Sequence, residues 1–215
     1  LGRPEHHPVD VLSLSLGYYH ERPVDADYDG PLGAALGALR RHGVVVVTSA
    51  GNDAEVRPAY PAAFSPWFDR SVTPPAPPAG LTEDEPPQLT AGALNPDGTT
   101  ALFSNDGPWV TCLRPGAALV STLPVGTDGS WTSSRSLPGA AGDRRATIDL
   151  DGFGGGFAVW SGTSFATPVL AGDVAAAVLE AKATGVSAGS WAGIVAQRRA
   201  AAWTAITATT GLSPS

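Results

Sequence analysis

Two short stretches of this 215-residue chain carry residue types whose spacing could do chemistry. In the first, Ser161-Gly162-Thr163-Ser164-Phe165-Ala166-Thr167-Pro168, a Gly-Thr-Ser turn opens directly into an apolar helix pattern that runs on through Ala171 and Gly172. The Ser164 hydroxyl and its backbone N–H then sit at the positive end of a helix dipole. A serine so placed could attack a carbonyl while its own N–H stabilises the oxyanion that forms. The plainer alternative is an N-cap serine, with which many helices begin. In the second stretch, four valines from Val44 to Val47 run into Thr48-Ser49-Ala50-Gly51-Asn52. A buried strand there ends in a Gly-Asn turn, and in α/β sheets functional groups collect at the carboxyl ends of strands. The Asn52 amide could donate to a developing oxyanion; the alternative is a turn asparagine that tolerates left-handed backbone.

Holding these two groups together requires a sheet and a helix. Val9 to Leu16 alternates apolar and small polar residues, as a strand does, and Gly17 ends it. Pro31 to Arg41 places Leu32, Ala35, Leu36 and Leu39 on one helical face, with Pro31 suited to the first turn, Arg40 and Arg41 to the last and Gly43 to the cap. Val44 to Val47 follows, apolar on both faces as in a parallel sheet covered by helices. The opening therefore reads strand, helix, strand, a βαβ unit. Further strands are predicted over residues 88–94 and 117–122, and helices over 163–183 and 191–205. Residues 73–88, with six prolines around Glu83, Asp84 and Glu85, cannot propagate helix or sheet and are expected to form an exposed loop. Residues 127–156, rich in Gly, Ser, Asp and Arg, read as a surface excursion.

Taken together, the two stretches resemble the subtilase family, the subtilisin-like serine proteases. Residues 161–172 follow the family's Gly-Thr-Ser-x-Ala-Ser/Thr-Pro-x-x-Ala-Gly nucleophile motif nearly throughout, with Ser164 on the nucleophile. Residues 44–52 are similar to the family strand ending in Ala-Gly-Asn, with Asn52 on the oxyanion asparagine. Leu12 to Gly17 resembles the Ser-Leu-Gly strand whose backbone pairs with the substrate peptide. Tyr60-Pro61-Ala62 is similar to a Tyr-Pro-Ala segment near the pocket, where the family often has a cis proline. Residues 89–93, 103–105 and 115–116 fit later strands and turns, so the resemblance runs from about Val9 to about Ala183. It implies a parallel sheet flanked by helices in three αβα layers and an acyl-enzyme on Ser164. It also implies a groove formed by Ser15, Leu16, Gly17, Ser49, Ala50 and Gly51 that takes a polypeptide as an added strand. Secretion and calcium binding are implied by the family alone; no residue pattern here identifies a calcium site, and no cofactor is expected.

The chain departs from the family at its front and at 73–88, which looks like an insertion. In the family an Asp-Ser/Thr-Gly strand and a His-Gly-Thr helix precede the Ser-Leu-Gly strand; here residues 1–8 precede it and carry neither motif. The expectation is a partial catalytic domain over 1–215, incomplete at the N-terminus, inactive alone and completed by a preceding segment of the same protein. Leu1 stands where an initiator would, and a processed start, a truncated start and a chosen boundary all read alike. No substitute for the missing pair stands out. His6 and His7 lie in a polar start, His20 lies in a loop, and His42 ends a helix. The Asp-Gly pairs at 29, 97, 106, 128 and 151 look like turns.

Composition narrows the alternatives. A net charge of −7 and a pI near 4.9 argue against a nucleic-acid binder. No window approaches 18 uninterrupted apolar residues, so no membrane span is expected. The lone Cys112, in a strand-like run, reads as a buried inert thiol. The Gly-x-Ser-x-Gly elbow of α/β hydrolases fails because Ala166 stands where its second glycine would, and Gly152 to Gly156 lacks dinucleotide fingerprint spacing. A pseudoenzyme with the same fold and a retained peptide groove is the standing alternative to an endopeptidase.

Overall fold

A computed structural model describes residues 8–125, 136–146, 155–183 and 190–215. The chain divides into two compact units, Leu1–Ala117 with Gly162–Ser215, and Ala118–Ser161. The first holds a four-stranded, all-parallel sheet in the order β1 (Val11–Leu14), β2 (Val45–Ser49), β3 (Leu89–Leu94), β4 (Cys112–Pro115). The βαβ unit closes as expected, through α1 (Asp29–Arg41), with Val11 opposite Val45 and Leu14 opposite Thr48. The first strand is shorter than the alternation suggested: Ser15, Leu16 and Gly17 lie beyond it. Among the described residues β1 has a neighbour on one side only, so it is an edge strand.

The valine run supplies the centre of the core. Val45, Val46 and Val47 are fully buried. Val45 and Val47 join Leu89, Ala91 and Ala93 in one apolar cluster with α2 (Thr163–Ala183). The alternating residues Thr48 and Thr90 point to the other face and hydrogen-bond through their hydroxyls at 2.9 Å. α2 packs across all four strands, presenting Ala166, Leu170, Val174 and Val178 as one i, i+4 row. Its larger apolar side chains each stabilise the fold by about 1.5–3 kcal/mol. By length and composition alone α2 is long and apolar enough to cross a membrane. That property comes from averaging Ala, Gly and Val over 21 residues, and here its apolar row is spent on the sheet. α3 (Trp191–Thr210) packs against α2, capped by the Ser190 hydroxyl, which accepts from the Gly193 N–H, and by Gly211 in the left-handed region. α3 runs further than the 191–205 pattern predicted.

Arg198 ties α3 to the start of the sheet. Its guanidinium, 8% exposed, donates to the Asp10 carboxylate and to the carbonyls of Val9 and His42. The Pro-rich stretch has no helix or strand, as expected, but it is held down rather than loose. Glu85 pairs with Arg40 and Arg41, Asp84 with Arg199, and the Trp203 indole donates to the Thr82 carbonyl. Its end is buried: Gln88 is 1% exposed and donates to the Pro61 carbonyl at 2.6 Å. Asp29 opens α1 instead of forming a turn, and Ala35 is exposed rather than facing the core. The Tyr60–Pro61 bond is cis, as the resemblance implied.

The second unit contains two antiparallel pairs, β5 (Leu119–Thr122) with β8 (Phe157–Trp160) and β6 (Ser136–Pro138) with β7 (Arg144–Ala146). The surface excursion read over 127–156 lies partly outside the described residues, as do His6, His7, Asp128, Asp151 and Gly152.

Candidate active site

Ser164 occupies the first turn of α2, and the chain reaches it through a close approach. Gly162 N–H donates to the Gly116 carbonyl at 2.8 Å. A Cβ on Gly116 would stand 2.6 Å from the Ala93 side chain and 3.1 Å from that of Ala166, so glycine is what lets the helix start meet the sheet. Four residues beyond Ser164, Pro168 lies inside α2. A proline has no N–H to give the carbonyl four residues back, which is that of Ser164. The Ser15 hydroxyl donates to it instead, at 2.9 Å. A sheet-edge residue thus replaces the missing helical bond of the serine.

Asn52 is fixed by the same helix start. Its Oδ1 accepts from the Thr163 N–H at 2.8 Å and from the Thr163 hydroxyl at 3.0 Å. Because a backbone N–H can only donate, these bonds assign the amide: the oxygen faces Thr163, and Nδ2 has no protein partner among the described residues. Thr163 Oγ1 in turn accepts from Gly51 N–H at 3.1 Å. The result is a free side-chain amide donor beside a serine whose hydroxyl is likewise unpartnered among the described residues.

Behind this loop stands Asn105, 1% exposed. Its Oδ1 accepts from the N–H groups of Asp53 and Glu55, and its Nδ2 donates to the Ala50 carbonyl and the Tyr19 hydroxyl. Gly51 adopts φ +105°, and a Cβ there would lie 2.2 Å from Asn105 Nδ2, so the turn needs glycine on both counts. Tyr19 completes the set by donating to Asp53 Oδ2 at 2.6 Å. Burial, and then the bond to Asp53, push the Tyr19 phenol up to about 12. Tyr18 is likewise pushed up to about 12 by burial and by its bond to Asp29.

A cleft of about 320 Å³ lies beside Ser164 and Asn52. Five of the six expected groove residues line it: Ser15, Leu16, Gly17, Ser49 and Gly51. Ala50 is fully buried, its N–H spent on the Ala91 carbonyl, and its own carbonyl held by Asn105. Tyr18, Tyr19, Asp53 and Ala59 line the cleft too. Sequence reasoning missed them, and Asn105 and Thr163 with them. A phenol directly after the Ser-Leu-Gly strand was the one available signal.

Neither described histidine beyond the start of the chain lines the cleft. His20 contacts the Asp29 carboxylate at 3.0 Å and stacks on Tyr60 with ring centroids 4.2 Å apart. His42 caps α1, with its Nδ1 bonded to the Ala38 carbonyl. No group of three or more His, Cys, Asp or Glu suited to a metal occurs among the described residues. Cys112 is half-buried at the start of β4, and burial pushes its thiol up to about 11, which keeps it protonated at neutral pH.

Comparison with known proteins gives a consistent result. The model of the Subtilase family matches residues 1–210. Mycosin-4 of Mycobacterium tuberculosis (strain ATCC 25618 / H37Rv) is 34% identical over 145 residues, covering 67% of this chain and 27% of that protein. Among solved structures, the self-cleaved protease domain of PatA superposes with a TM-score of 0.50 at 21% identity, over 94% of this chain and 63% of that one. A mutant form of the same protease domain gives 0.50 at 21% identity, over 92% and 60%. The chain therefore spans about a quarter of the length of the curated relative it matches.

Proposed function

Because the chain belongs to the subtilase family, whose three-layer α/β fold it shares, we propose that its intact gene product is a serine endopeptidase. Ser164 Oγ attacks the scissile carbonyl, an acyl-enzyme forms with loss of the amine, and water then releases the acid. The oxyanion of each tetrahedral intermediate is held by Asn52 Nδ2 and the Ser164 N–H. One observation carries this reading: Thr163 holds the Asn52 oxygen, which leaves an N–H₂ without a partner among the described residues on a side chain that lines the same cleft as Ser164. The substrate is a polypeptide laid along Ser15 to Gly17 beyond the edge strand β1. The acidic chain is no nucleic-acid protein on this reading, and α2 is a core helix rather than a membrane anchor.

No described histidine lines the cleft, so the base that takes the Ser164 proton has to come from elsewhere. We assign it, with its orienting aspartate, to a segment preceding these residues in the same protein, packed beside β1. The 215-residue chain by itself is then inactive. Secretion follows from the family reading alone, and no cofactor takes part in the chemistry.

The test is labelling of the intact gene product by a fluorophosphonate, together with hydrolysis of a denatured protein substrate. Both are expected, and both are abolished by Ser164→Ala. A well-folded intact protein that is neither labelled nor active would instead support the same fold serving as a peptide-binding module.

A further inference from the structure

Eleven of the described residues line the cleft beside Ser164; among them Asp53 is the one carboxylate, and none is cationic. We propose that this cleft selects a lysine or arginine side chain on the acyl side of the bond to be cut, with the Asp53 carboxylate as the residue that recognises it. The inference rests on the reading of the cleft as a peptide site.

Three features favour a cation. The first is shape and chemistry: Leu16, Tyr18, Tyr19 and Ala59 offer apolar surface, and the carboxylate stands among them. That suits a side chain with an aliphatic stem and a charged head. The second is preorganisation. The Asp53 N–H is held by Asn105 Oδ1 and its Oδ2 by the Tyr19 hydroxyl, which is itself held by Asn105. The carboxylate is therefore fixed before a ligand arrives, and little side-chain entropy is lost on binding. Tyr19 remains a neutral donor at physiological pH, its phenol pushed up to about 12, so it adds no competing charge. Asp53 Oδ1 has no partner among the described residues and remains available to an ammonium or guanidinium.

The third feature is the surrounding field. Glu21 and Glu55 lie on the same two loops as Tyr19 and Asp53. Arg57 sits over the Tyr19 ring at 4.5 Å and pairs with Glu21 at 2.5 Å. That guanidinium is already engaged by Glu21 and lies within the electrostatic reach of Glu55. Acidic side chains on the loops that carry Tyr19 and Asp53 favour cationic side chains over acidic ones.

The experiment measures binding, so that it is independent of turnover. Fluorescein-labelled peptides Ala-Ala-Ala-X with a free carboxylate, X being Arg, Lys, Leu or Glu, are titrated into the intact protein carrying Ser164→Ala. Fluorescence anisotropy is read at low and at high salt. Arg and Lys peptides are expected to bind about tenfold more tightly than the Leu peptide, with the Glu peptide weakest, and the gap narrows at high salt. Asp53→Asn, which keeps an acceptor for Tyr19, removes the preference for Arg and Lys over Leu; Asp53→Lys turns the preference toward Glu.

Equal or tighter binding of the Leu peptide, a basic preference that survives Asp53→Asn, or no binding of any peptide overturns the inference. Hydrolysis by the Ser164 protein separates it from the peptidase reading. Cleavage after apolar residues sinks the specificity and keeps the peptidase. Asp53-dependent binding without hydrolysis or labelling does the reverse.

Discussion

The Ser15 hydroxyl donates to the Ser164 carbonyl at 2.9 Å, across 149 residues of sequence. It fills the place of the helical N–H that Pro168 cannot supply. The backbone of Ser164 is thereby held by the residue just past β1, along which the substrate is proposed to lie. Ser15→Ala should lower stability by about 1 kcal/mol, the usual worth of such a bond, and lower turnover more than it alters KM. In a Pro168→Ala background the helix regains its own donor, so the same Ser15→Ala change should cost less. A double-mutant cycle read by urea unfolding tests this; strict additivity would show that the bond to Ser15 does not substitute for the helical one.

On the proposed mechanism Asn52 should contribute to the transition state and hardly at all to ground-state binding, because its Nδ2 has no partner among the described residues and is free for the oxyanion. Asn52→Ala in the intact protein is expected to lower kcat by about 10²–10³ with little change in KM. That is the loss known for the equivalent donor in subtilisin, the family's namesake, and is carried over from it. A rise in KM with kcat unchanged would assign Asn52 to substrate binding instead.

Removing Asn105 leaves the Asp53 and Glu55 N–H groups, the Ala50 carbonyl and the Tyr19 hydroxyl without their partner. Each group left unsatisfied when buried costs about 1–3 kcal/mol, and some of these regain water. Asn105→Ala is expected to destabilise by about 3 kcal/mol, measured by urea titration. Gly51→Ala should be at least as harmful, through its positive φ and the 2.2 Å approach to Asn105 Nδ2. A Gly51→Ala variant of native stability would contradict the turn geometry.

The phenols give a pH signature. Tyr18 and Tyr19 hold their protons more tightly in the folded chain, with ionisation near pH 12, than in the unfolded chain near 10. Ionisation therefore favours the unfolded state, so their contribution is fully present below pH 10 and lost between 10 and about 12. Tyr19→Phe should flatten the decline in Tm over that window. Phenolate absorbance at 295 nm in the native protein should show Tyr18 and Tyr19 titrating last, with Tyr60 also raised by its burial.

Cys112 should be silent to a thiol reagent such as DTNB at pH 8 in native protein and react promptly in urea, because burial pushes its thiol up to about 11. Rapid native labelling would place it in a more open environment than the start of β4.

Much of the fold was legible because its signals are local. Four valines in a row specify a strand covered on both faces, and the i, i+4 row of α2 is written in the residues from Ala166 to Val178. The helix boundaries at Thr163 and Ala183 follow from the same pattern. The site was legible in part. Ser164 and Asn52 stood out through their places at a helix start and a strand end. Ala50 did not line the cleft as expected, since a residue flanked by two lining ones can still turn its side chain into the core. The Pro-rich segment read only as an exposed loop because its anchors, Arg40, Arg41, Arg199 and Trp203, lie on helices distant in sequence.

What the sequence alone determined is therefore the set of elements and the two groups at their ends, since strand alternation, helical periodicity and turn chemistry act over a few residues. Only the tertiary structure decided how those groups are held: Ser15 on the Ser164 carbonyl, Thr163 on the Asn52 oxygen, Asn105 beneath the loop, and Tyr19 on Asp53. Each is a hydrogen bond between polar side chains or backbone groups brought together by the fold. A hydrogen bond needs its donor and acceptor within about 3 Å and in line, a condition that spacing along the chain does not encode for residues tens or hundreds of positions apart.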